Sequence, residues 1–210
     1  MSYVVKEIFK TLQGEGRNAG RAAVFCRFSG CNLWSGRERD RSKAICTFCD
    51  TDFVGMNGSG GGRFATPGEL AAAIERCWGS ERWNRLVVLT GGEPLLQLDE
   101  PLLEVLKAAD FEIALETNGT FAVPNGLDWI CVSPKAAAPL KQRTGNELEL
   151  VYPQPGLQPD EVAGFEFDEF WLQPRDGPEV RQNTEAAVAY CLANPRWRLS
   201  LQTHKMIGIP

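Results

Sequence analysis

The 210-residue sequence predicts an α/β fold: an incomplete βα barrel of about six parallel strands, with several of its helices reduced to loops. Three observations point there. Short apolar, β-rich runs recur along the chain, and amphipathic helical segments lie between some of them. Other gaps are too short, or too broken by Pro and Gly, for a crossover helix.

The runs YVVKEIF (3–9), AAVFCRFSG (22–30), RLVVLTGGEP (85–94), EIALETNG (112–119), WICVSPK (129–135), LELVYP (148–153) and FWLQP (170–174) read as buried strands of a parallel sheet or barrel. A helix is expected from Thr66, an N-cap followed by Pro67 and Glu69, through LAAAIERCW. The second, LDEPLLEVLKAAD (98–110), opens on an Asp cap and carries Leu102, Leu103 and Leu106 on one face. The third is PEVRQNTEAAVAYCLA (178–193). Pro124 and Gly126 interrupt the gap after EIALE, and Pro139 and Gly145 the gap after WICVS, so both connections are expected to be loops. GSGGGR (58–63) reads as a flexible tip. The whole chain, 1–210, reads as one domain without internal repeats.

Composition narrows the function. With 43% hydrophobic and 23% charged residues, a net charge of −5 and a pI near 5.1, the chain lacks the basic balance of a nucleic-acid or acidic-lipid binder. No basic, apolar leader opens it, and runs such as LVVLT are too short to cross a membrane. Seven cysteines, an odd number without a regular framework, point to a reducing cytoplasm.

Three of those cysteines stand in CNLWSGRERDRSKAICTFCD (31–50), with fourteen residues between Cys31 and Cys46 and two between Cys46 and Cys49. The spacing leaves three readings open. One is a zinc site that recruits His204, the single histidine, as fourth ligand. Another is a redox C-x-x-C pair. The third is a [4Fe–4S] cluster on three thiolates, which leaves one iron free to bind a small molecule. Cys26, Cys77, Cys131 and Cys191 fall in strand or helix patterns and read as buried and inert. A second motif, TGGEPLLQ (90–97), follows the strand RLVVL, where consecutive glycines let backbone approach a ligand and a carboxylate can meet an amine.

Cysteine trio and GGE segment together resemble the radical S-adenosylmethionine (SAM) superfamily, whose barrel this fold would share. The usual spacing there has three residues between the first two cysteines. The longer insert, at about 32–45, is similar to that of the 7-carboxy-7-deazaguanine synthases of queuosine biosynthesis. FKTLQGEGRNAGRAAVFCRFSGCNLW, CDTDF and the closing LQTHKMIGIP resemble that family too, so the likeness spans nearly the whole chain. It implies a ring contraction of 6-carboxy-5,6,7,8-tetrahydropterin to 7-carboxy-7-deazaguanine with loss of ammonia. A reduced cluster would cleave SAM to a 5′-deoxyadenosyl radical that abstracts a substrate hydrogen, and SAM would be regenerated each cycle.

The resemblance also implies site residues. Cys31, Cys46 and Cys49 would hold the [4Fe–4S] cluster. Phe48, Cys49, Asp50, Gly92, Glu93, Glu116, Asn118, Ser133, Pro134, Lys135 and Gln173 would form the SAM site, although Glu93 could instead brace its turn. The pterin's paired N–H donors suit a carboxylate, for which Glu15 is the candidate, with Leu12, Gln13 and Gly14 shaping the pocket. Arg27 would pair with the substrate carboxylate, or with a structural acid such as an Asp. Thr90, His204 and the carboxylate of Pro210 would also touch substrate, and Thr51 would ligate Mg2+. The locally basic GRERDRSKA (36–44) is either a solvated loop or a docking face for an acidic, flavodoxin-like electron donor. A homodimer is expected from the resemblance alone. Two rival functions remain: an activase that installs a glycyl radical on another protein, and a non-catalytic zinc-held module.

Overall fold

The computed structural model describes residues 2–210. Among them one nine-stranded sheet runs in the order β3-β1-β2-β4-β5-β6-β7-β8-β9 and stays open between β3 and β9. The strands are β1 (Tyr3–Leu12), β2 (Ala22–Phe28), β3 (Gly62–Phe64), β4 (Leu86–Gly91), β5 (Glu112–Thr117), β6 (Trp129–Val132), β7 (Thr144–Tyr152), β8 (Glu166–Pro174) and β9 (Trp197–Leu199). From β2 to β9 every pairing is parallel, giving a partial barrel.

The first strand corrects the expectation of a purely parallel set. β1 pairs antiparallel with β2, because the chain turns back between Gln13 and Arg21, closed by Gln13 N–H to Arg21 O at 2.8 Å and Gly20 N–H to Gln13 O at 2.8 Å. So short a connection cannot make a parallel crossover. The segment 58–63 is also not a free tip. Gly58 N–H donates to Lys6 O at 3.0 Å, and its last two residues begin β3 on the edge of β1. Two further strand ends were not apparent: β7 starts at a polar Thr-Gly-Asn-Glu, and β9 is only three residues long.

Helices α1 (Pro67–Trp78), α2 (Glu100–Ala108), α3 (Pro159–Val162), α4 (Val180–Ala193) and α5 (Thr203–Ile207) complete the chain. The caps form as their residue types demand. Thr66 accepts from Glu69 N–H at 3.2 Å, and Asp99 from Leu102 N–H at 3.2 Å. No helix separates β5 from β6 or β6 from β7, as the interrupted spacings implied. No helix among the described residues is long and apolar enough to cross a membrane.

Apolar side chains sort into three bodies. Val24, Cys26, Phe28, Val87 and Leu89 pack outward against Leu70, Ile74, Leu102, Leu103 and Leu106 of α1 and α2. Leu148, Leu150, Phe170 and Leu172 pack outward against Val162 of α3, Ala187 of α4 and Trp197. Burying one such side chain contributes about 1.5–3 kcal/mol, so the two outer layers carry most of the stability. Only a small cluster, Ala23, Phe25, Leu86, Val88 and Ala114, fills the sheet's inner face. Phe9 and Trp129 pack against it, and most of the remaining face is polar.

Candidate active site

The inner polar residues form a row across the sheet. Register places Glu7 beside Arg27, Arg27 beside Thr90, Glu116 beside Cys131, Cys131 beside Glu147, and Glu147 beside Glu169. Thr90 Oγ1 donates to Glu116 Oε2 at 3.1 Å and closes the gap between the two halves. One row thus runs from β1 to β8 above the inner apolar cluster. Two cavities open above it, and they share Gln13, Glu15, Asp50, Thr51, Thr90, Glu116 and Gln202 as a common wall.

The first chamber holds Cys46 and Cys49, with Phe48, Asp50, Gly92, Ser133, Lys135 and Gln173 around them. Each cysteine sulfur receives a backbone N–H: Cys31 from Leu33 and Trp34, Cys46 from Phe48, Cys49 from Thr51. Cys46 also shares a hydrogen bond with Cys49, which lowers Cys49 to about 6 against the pull of its burial and raises Cys46. Donors aimed at sulfur favour thiolates, the form in which cysteine binds iron, while burial outweighs them at Cys31 and holds that thiol above its ordinary value.

The zinc reading loses its fourth ligand. His204 lies in the second chamber, where any side chain at Gly14 would meet its Nδ1 at 2.2 Å. Among the described residues no three His, Cys, Asp or Glu side chains close on a single ion. The three cysteines carry backbone N–H donors at their sulfurs and no histidine or carboxylate of the described residues joins them, a donor set that suits a three-thiolate [4Fe–4S] cluster.

The GGE turn is held from below. A Cβ at Gly92 would lie 2.1 Å from Gly30 O and 2.9 Å from Cys31 Cβ, so only glycine lets this turn pass under the first cysteine. Glu93 is fully buried and accepts from Leu95 N–H at 3.0 Å, Thr117 Oγ1–H at 2.8 Å and Asn118 N–H at 2.8 Å. Its carboxylate therefore braces the turn against β5 and is absent from the chamber lining. Asn118 lines the chamber, but its amide is committed, donating to Asn32 at 3.0 Å and accepting from Thr120 N–H at 3.0 Å. Pro134 is buried behind Ser133 and Lys135, and Lys135 Nζ donates to Ser133 Oγ at 2.5 Å.

The second chamber gathers Leu12, Gln13, Gly14, Glu15, Arg27, Thr90, His204 and Pro210, every residue expected to contact substrate. Arg27 does have a carboxylate partner in the fold, but it is Glu7, not an Asp: Nε donates to Glu7 Oε1 at 2.8 Å. Glu7 occupies only that edge of the guanidinium. Glu116 anchors both Gln13, whose Nε2 donates at 2.8 Å, and Thr90. Glu15, half-buried on the shared wall, faces the charge of Glu116; desolvation first and that charge second push it up to about 7, against a hydrogen bond from Gln202 at 2.9 Å.

The C-terminal segment lies along the rim of the chambers. Thr203 N–H donates to Gly14 O at 3.1 Å, Thr11 Oγ1–H to Pro210 O at 2.9 Å, and Lys205 Nζ bonds Asp50 and Asp176 at 2.6 Å each.

Several lining residues escaped the sequence reading. Glu147 and Glu149 are buried carboxyls raised by burial, and Cys131, taken for an inert core thiol, faces the first chamber beside them. Cys77 and Cys191 are only partly buried, while Cys26 is fully buried as expected. Gln202, Arg175 and Asp176 complete the rim. The signal was present in NELEL, where acids at alternate positions of an apolar strand must share one face.

A parallel half-barrel with a thiol trio and a glycine turn at its rim is the architecture of a radical SAM protein, and a model described as the radical SAM superfamily matches residues 41–147. Over its full 210 residues the chain is 62% identical to the 7-carboxy-7-deazaguanine synthases of Caulobacter vibrioides and Bordetella pertussis, each covered completely. It is 38% identical to that of Bacteroides thetaiotaomicron over 98% of this chain and 97% of that one. The crystal structure of QueE from Escherichia coli superposes with a TM-score of 0.73 at 28% identity, covering 96% of this chain and 94% of that one. The chain belongs to the 7-carboxy-7-deazaguanine synthase family of the radical SAM superfamily.

Proposed function

We propose that the chain converts 6-carboxy-5,6,7,8-tetrahydropterin to 7-carboxy-7-deazaguanine with loss of ammonia, using a [4Fe–4S] cluster, SAM and Mg2+. The observation that carries this reading is the shared wall: a cysteine-bearing chamber opens directly onto one lined by an arginine and three glutamates. Cys31, Cys46 and Cys49 would hold the cluster, which when bound supplies the electron that breaks SAM's sulfur–carbon bond.

The remaining roles belong to the chain's own side chains. Gly92, Ser133, Lys135 and Gln173 form the first chamber's walls and bind SAM. Glu15 accepts from the aminopyrimidinone edge, and the edge of Arg27 left free by Glu7 meets the substrate carboxylate. Glu116 orients Gln13 and Thr90 from beneath. Thr51, on the shared wall, offers a hydroxyl to Mg2+ beside that carboxylate. The strap from Gln202 to Pro210 excludes water from both chambers. Residues 1–210 act as one domain, with loop 32–45 as the insert in the cluster motif. Arg37, Arg39 and Lys43, all exposed, receive an acidic flavodoxin-like donor, and two copies of the chain form the working enzyme.

Anaerobic incubation with carboxytetrahydropterin, SAM, Mg2+ and dithionite tests the proposal. Product should form on a brown protein with about four irons per chain. A colourless, fully folded, zinc-loaded protein would overturn it.

A further inference from the structure

The fourteen-residue excursion between Cys31 and Cys46 must return its ends to one place if both sulfurs are to serve one group. Backbone bonds close its neck: Leu33 O accepts from Ile45 N–H at 3.0 Å and Cys46 N–H at 3.4 Å. Within the excursion, the side chain of Arg41 does something none of its basic neighbours do. Its guanidinium lies 4.1 Å over the ring of Trp34, which is buried and set edge-on to Phe53 at 5.7 Å. Its Nη1 donates to Thr47 O at 3.0 Å and to Cys49 O at 3.1 Å, while Nε pairs with Glu38 at 2.7 Å. Arg41 is 28% exposed, against 72% for Arg39.

We propose that Arg41 is a positioning residue that clamps the Cys46–Cys49 arm to the Cys31 arm, and that this clamp is what makes the long insert compatible with a three-cysteine site. Thr47 and Cys49 flank Phe48, so holding both carbonyls fixes the peptide whose N–H reaches Cys46 and whose ring lines the first chamber. Trp34 sits three residues beyond Cys31 and gives its own N–H to that sulfur. One planar, multiply donating cation can stack on Trp34 and fork to two carbonyls at once, which an ammonium cannot. The inference rests on Cys31, Cys46 and Cys49 being the cluster ligands. It also removes Arg41 from the docking face for an electron donor, where the sequence had counted it with Arg37 and Arg39.

The test uses Arg41→Met, Arg41→Lys and Glu38→Gln. Hydrogen exchange on the metal-free chain reads the clamp without the cluster: amides from 46 to 51 should exchange roughly tenfold faster in Arg41→Met, as for the loss of a charge-assisted bond. Reconstituted Arg41→Met should release iron to a chelator faster by a similar factor, with only partial recovery in Arg41→Lys. Glu38→Gln should match the unaltered protein in both assays, since it leaves the carbonyl bonds in place. Exchange and iron retention unchanged in Arg41→Met, or equal losses in Glu38→Gln, would overturn the clamp. Failure of the unaltered protein to take up iron would instead overturn the cluster assignment, and exchange would still decide the clamp.

Discussion

The two chambers share a wall yet are built by different means. The first sets loops over a strand floor of Glu116, Cys131, Glu147 and Glu149: its cysteine sulfurs are held by backbone N–H groups, its glycine turn is pressed against Gly30, and Glu93 commits its carboxylate to Leu95, Thr117 and Asn118. The second has its recognition floor on strands, where Glu7 pairs with Arg27 and Thr90 with Glu116, while Glu15 and the C-terminal segment close over it. A group that needs several sulfurs at set separations is served by a loop whose backbone can be shaped. A flat substrate recognised at its edges is served by rigid strands that place donors and acceptors side by side.

Substitutions can break or sharpen this contrast. Cys46→Ser or Cys49→Ser should abolish iron retention and lower product formation by about a thousandfold or more, because the trio acts as a unit. Cys131→Ser, in the same chamber but outside the trio, should retain its iron. On the strand side, Glu116→Ala strands both Gln13 and Thr90, and kcat/KM should fall by roughly ten- to a hundredfold while iron content stays constant. Iron loss in that variant would mean the chambers are not separable.

Glu93 separates bracing from binding. Glu93→Ala leaves three buried donors unpaired and should cost about 2–3 kcal/mol, lowering Tm by roughly 5–10 °C. A large loss of SAM binding with unchanged Tm would return Glu93 to the ligand. Lys205→Met frees Asp50 and Asp176 from the strap; these are partly exposed pairs, so KM should rise only about two- to fivefold.

The smallest effect is in pH. Glu15 is raised from 4.5 to about 7, so between those values the folded chain binds more protons than the unfolded one. Its contribution to stability is complete below 4.5 and is lost as pH rises through about 7. Glu15→Gln should therefore flatten denaturant midpoints across that window, and an unchanged slope would show that neither desolvation nor Glu116 raises Glu15.

Much of the outer architecture was legible. Thr66–Pro67–Glu69 and Asp99 cap helices for local reasons, and the Leu102, Leu103 and Leu106 stripe declares its buried face. The cysteine and glycine motifs were legible because spacing within one loop is a sequence property. The inner row was harder to see. Glu116, Cys131 and Glu147 come from three strands whose register only the sheet decides, and Cys131 looked like core because its neighbours are apolar.

By itself the sequence determined the element types, the caps, the thiol trio and the turn beneath it, since each depends on neighbours within a few positions of chain. Tertiary structure alone decided that β1 runs against the other strands, that Glu7 takes one edge of Arg27, that Glu93 points inward, and that Arg41 joins two distant arms. Those outcomes turn on which backbones lie side by side, and a carboxylate or guanidinium takes whichever partner that packing leaves within reach.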